Sequence, residues 1–163
     1  MSTFIEWLLW VESTGLAVWV GESRYGFQLA LVLHALSMGL LAGGNLVLGL
    51  RVLGVAPAVP MAALLRFYPW LWSAALVCLV SGLMLLSVYP AKALTNPVFF
   101  SKMALLGLGL WCMAGPLSAR LRAGSTSPRL GGTVLLVWAL TISGGRLLAY
   151  THSVLRASEL MGG

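Results

Sequence analysis

At 163 residues, 60% hydrophobic and only 9% charged, the chain carries far less charge than the roughly 25% usual in soluble domains. A mean hydropathy of +0.95 fits a surface that meets lipid rather than water. The net charge of +6 comes from Lys and Arg residues that form no run or stripe. That distribution speaks against a nucleic-acid partner and for loops beside anionic lipid.

The length fits one domain, and no 20–50-residue repeat, low-complexity tract or flexible linker divides it. Cys78 and Cys112 both lie in apolar runs, without CxxC or CxxCH spacing. A disulfide framework, covalently attached haem and structural zinc are therefore not indicated. The N-terminus does not read as a cleaved signal peptide, because it lacks a basic start and Glu6 and Glu12 interrupt its apolar stretch.

Residues 4–20 are apolar but broken by those acids and by Ser13-Thr14-Gly15. With Trp7, Trp10 and Trp19 suited to the headgroup level, the segment reads as an interfacial helix pair lying on the membrane, a fifth span being the alternative. Four later windows reach the roughly 20 apolar residues that a spanning helix needs. The first covers 27–50 and ends on Arg51. The second covers 70–89, between Pro69 and Pro90. The third covers 98–117, with Asn96 as N-cap and Pro97 in the first turn, where a missing N–H costs nothing. The fourth covers 130–150, opened by Ser127-Pro128. The expected fold is an all-α, four-helix membrane bundle preceded by an interfacial amphipathic helix. Gly39 and Gly43 form a small-xxx-small pair, and Gly107, Gly109, Gly144 and Gly145 allow close helix approach elsewhere.

Arg51, Arg66, Arg120, Arg122 and Arg129 fall in the two turns on one side. The other side has Arg24, Lys92 and Arg156 together with the four acids, Glu6, Glu12, Glu22 and Glu159. The positive-inside rule then puts both termini on the non-cytoplasmic side of the membrane.

Ionisable groups inside a span are costly, and each is a candidate functional residue. His34, Lys102 and Arg146 qualify, and no Asp or Glu lies in any span to neutralise them. At about 1.5 Å rise per residue, Lys102 and Arg146 sit roughly 6 Å, and His34 roughly 10 Å, below the same boundary. Two cations without a carboxylate call for an anionic guest or for snorkelling to the headgroups, and haem propionates would answer the charge. Imidazole is a common axial ligand of b-type haem and a common copper ligand. The plain alternative for His34 is a hydrogen bond to Ser37 or Asn45. His152, just beyond the last span, is the other histidine and the candidate second ligand, although the depth estimate separates it from His34. Tyr150 could hydrogen-bond a propionate. Met38, one turn from His34, with Met84 and Met103, leaves a Cu(I) site as an alternative. GxSxG, P-loop, HExxH and GxGxxG motifs are absent.

Leu33-His34-Ala35-Leu36, Gly43-Gly44 and Leu50-Arg51-Val52-Leu53-Gly54 resemble a family of small bacterial membrane proteins described as a domain of unknown function. Asn96 to Met103 and Gly144 to Tyr150 fit the same pattern, so the resemblance spans about residues 25–150. The His and Lys placement is also similar to the copper-resistance D membrane domain and to the haem-binding membrane protoporphyrinogen oxidase. These resemblances imply a four-helix bundle with a His-centred site for haem b, carried onto His34, Lys102 and Arg146. Trp111-Cys112-Met113-Ala114-Gly115-Pro116 departs from the family pattern, which favours an Asn there. The resulting expectation is a haem-b subunit that relays electrons, with quinone as a possible partner. A structural or assembly subunit, in a complex or a homo-oligomer, is the alternative, and a copper-handling membrane protein a second one.

Overall fold

The computed structural model describes residues 2–151, and these are helical almost throughout. The N-terminal segment is a pair of helices, α1 (Ser2–Glu12) and α2 (Gly15–Glu22). They break at Ser13-Thr14, where the Thr14 hydroxyl accepts from Ala17 N as an N-cap. Helix α3 (Gly26–Leu53) is the longest and stops at Gly54, whose φ of 111° only glycine adopts without strain. Arg51 then orders the following loop by donating from Nε to Val59 O and from Nη2 to Pro57 O.

The second span starts earlier than its sequence window. Helix α4 (Met61–Leu64) and a 3-10 turn (Leu65–Phe67) run directly into α5 (Tyr68–Val88). A short α6 (Pro90–Leu94) leads to α7 (Pro97–Cys112), capped by Asn96 Oδ1 as expected. Pro116 does not end this span at 117. A π-helical segment (Met113–Leu117) absorbs the missing N–H, and the chain continues into α8 (Ser118–Arg122). Helix α9 (Pro128–Tyr150) completes the bundle. Four of these stretches, Gly26–Leu53, Met61–Val88, Pro97–Arg122 and Pro128–Leu148, are long and apolar enough to cross a membrane.

In cross-section the order is α5, α3, α9, α7, because α3 packs along both α5 and α9 while α7 packs along α9. Small residues set the closest crossings. A Cβ on Gly131 would stand 2.6 Å from Leu53 N, one on Gly49 3.0 Å from Val134 Cγ1, and one on Gly109 3.0 Å from Trp138 Cε2. Gly39, Gly43 and Gly107, by contrast, have nothing within 4 Å, so the expected small-xxx-small face of α3 is not a packing face in the monomer.

The main core lies toward the arginine-bearing end. Leu48, Val52, Met61, Leu64, Leu71, Met113, Leu117 and Leu121 are all buried there, and the Tyr68 hydroxyl donates to Met113 O across the gap from α5 to the π-helical turn. At the opposite end the N-terminal pair packs across α3, α5 and α6. Leu8 is buried against Ala91, and Val20 is also buried. Asn96 Nδ2 donates to Thr151 Oγ1 at 2.8 Å, which ties the start of α7 to the end of α9 at this same end. The N-terminal pair and the end of α9 therefore share one side of the bundle.

Candidate functional site

His34 emerges from α3 toward α5, two turns below the N-terminal pair. Gly82 makes this possible, since a Cβ there would lie 3.1 Å from His34 Cε1. The ring nitrogen Nδ1 is 3.0 Å from Cys78 O and 3.2 Å from Ser81 Oγ. A carbonyl can only accept, and the Ser81 hydroxyl spends its own proton on Val77 O at 2.6 Å. Both contacts therefore require Nδ1 to carry the proton, and in the neutral ring Nε2 keeps its lone pair. This is the arrangement by which a backbone carbonyl fixes the tautomer of a ligating imidazole.

The expected alternative partners of His34 bond elsewhere. Ser37 donates to His34 O, and Asn45 Nδ2 donates to Leu41 O and Met113 Sδ. The true partners were not apparent in the sequence because one is a main-chain oxygen. Cys78-x-x-Ser81-Gly82 was the available signal: small and polar residues one turn apart, facing a histidine. The Cys78 thiol lies 3.8 Å from Nδ1, which adds a soft, polarisable neighbour.

Lys102 of α7 is half-buried, and its stem lies along the α9 glycines. A Cβ on Gly144 would be 3.7 Å from Lys102 Cβ, and one on Gly145 would be 3.7 Å from Cε and Nζ. Gly144-Gly145 therefore makes room for the stem of Lys102. His34 and Lys102 lie in the same half of the bundle, in the N-terminal halves of α3 and α7 respectively.

Arg146 lies one residue further round α9, a turn of about 100°, and is exposed. Tyr150 is 73% exposed. Neither is drawn into the space beside His34. His152 lies outside the described residues. Met38 packs against the main core. Among the described residues, no three His, Cys, Asp or Glu side chains form a metal-binding group.

The arrangement around His34 is a single imidazole held in one tautomer by Cys78 O and Ser81 Oγ. No family model, curated protein or solved structure matches the chain.

Proposed function

We propose that the chain is a small membrane subunit that binds b-type haem through His34 and relays electrons near the non-cytoplasmic face of a bacterial inner membrane. The observation that carries this reading is the hydrogen bond from His34 Nδ1 to Cys78 O, which leaves Nε2 as a fixed lone-pair donor. Lys102 supports it as a basic side chain in the same half of the bundle, in helices that contain no Asp or Glu. The sidedness rests on Arg51, Arg66, Arg120, Arg122 and Arg129, which gather at the end away from His34 and mark the cytoplasmic side by the positive-inside rule.

When bound, haem would supply a one-electron iron couple. The chain's own part is to hold His34 in one tautomer, to surround it with the apolar walls of α3 and α5, and to set Lys102 near the acidic edge of the guest. His152 would be the candidate second ligand, and Arg146 and Tyr150 would offer a cation and a hydroxyl toward the headgroup level.

The test is the absorption spectrum of the detergent-purified protein, with iron and copper analysis. A Soret band with iron, lost in His34→Ala and weakened in His152→Ala, is the expected result. A colourless preparation overturns the proposal. A colourless protein that co-purifies with stoichiometric partners would instead support an assembly subunit. That second reading draws on Trp10, Trp19, Trp70 and Trp111, all more than half exposed along the bundle surface.

A further inference from the structure

Between α7 and α9 lies a groove of about 350 Å³. None of its lining residues comes from α3 or α5. Its walls are apolar, built by Val98 and Leu105 on one side and Leu140 and Leu147 on the other, and Gly144 leaves its floor open. Lys102 stands at its margin. The walls suit a hydrocarbon chain, and the margin carries a basic side chain.

No Asp or Glu occurs within any of the four long helices to answer the charge of Lys102. An ammonium donates three hydrogen bonds and, below the headgroup layer, needs an anionic acceptor. Lys102 lies about two turns past Asn96, so its stem can lift the ammonium toward the phosphate level while its methylenes stay in the groove. We propose that this groove is a binding site for one anionic phospholipid, with an acyl chain between α7 and α9 and the headgroup phosphate on Lys102. The proposal does not require haem at His34, although it draws on the same Lys102.

The test uses the full chain extracted from vesicles containing equal amounts of phosphatidylglycerol and phosphatidylcholine, followed by native mass spectrometry. The expected result is one retained phosphatidylglycerol per chain in preference to phosphatidylcholine. Lys102→Gln should lower that preference about fivefold, the scale of one basic residue near an anionic surface, while Lys102→Arg keeps it. Leu140→Trp, which fills the groove without touching the charge, should reduce retention of both lipids. Circular dichroism and melting temperature verify that each variant is folded. Equal retention of the two lipids, or a Lys102→Gln protein with unchanged preference, overturns the proposal. Displacement by inorganic phosphate with no effect of Leu140→Trp also overturns it, because the groove would then contribute nothing. A Soret band that survives loss of the lipid, or a bound lipid in a colourless protein, separates this result from the haem reading.

Discussion

Substitution of Gly131 by alanine tests the packing of α9 on α3 with the smallest possible perturbation. The added methyl would stand 2.6 Å from Leu53 N and 2.7 Å from Leu53 Cα, atoms of a helix backbone that cannot rotate aside as a side-chain end can. Overpacking of this kind costs about 1–3 kcal/mol, and a backbone clash belongs at the upper end. Alanine returns up to about 1 kcal/mol of helix propensity, so the net destabilisation expected is about 2 kcal/mol. For a chain of this size that lowers the melting temperature by about 4–8 °C. Gly132 provides the control, because a Cβ there meets nothing within 4 Å. Thermal melts by circular dichroism, in one detergent at one protein concentration, compare the two variants directly. If Gly131→Ala melts with Gly132→Ala, then α3 and α9 are not in van der Waals contact at this crossing, and the helix order described above is wrong.

Asn96 performs two tasks, accepting from Val98 N and donating to Thr151 Oγ1. Asn96→Ala should cost about 1–2 kcal/mol in a melt, and Thr151→Val should show only the part due to the second bond. Gly82→Val should push the imidazole off Cys78 O, because even a Cβ at Gly82 comes within 3.1 Å of the ring. The nitrogen-15 shifts of His34, read by NMR on the labelled protein, would then lose the single Nδ1-protonated tautomer expected of the unsubstituted chain. An unchanged tautomer would mean that α5 does not hold the ring.

The four long helices were legible in the sequence because lipid demands long apolar runs, and Asn96-Pro97 and Ser127-Pro128 announced two of the starts correctly. The ends were less legible. Pro116 looks like a stop, but a helix in an apolar setting re-forms its hydrogen bonds around it, so the span carries on to Arg122. Which glycines pack was also hidden. When a helix is apolar on every side, periodicity cannot say which face meets a neighbour. Gly109 packs closely as expected, but on α3 the close approaches fall at Gly44 and Gly49 instead of Gly39 and Gly43, and on α9 at Gly131. His34 and Lys102 stood out because polar groups are rare in such helices. Their different surroundings, a backbone carbonyl for one and a glycine pair for the other, depend on helix rotation, which the sequence leaves open. The same rotation turns Arg146 outward.

The reduced-minus-oxidised spectrum of the protein purified from membranes, set beside that of His34→Ala, tests the central claim most directly. The expected outcome is a b-type haem signal near one haem per chain, present in the unsubstituted protein and gone in the variant. The same signal persisting at full strength in His34→Ala, or no signal in either protein, would contradict the assignment of His34 as the ligand.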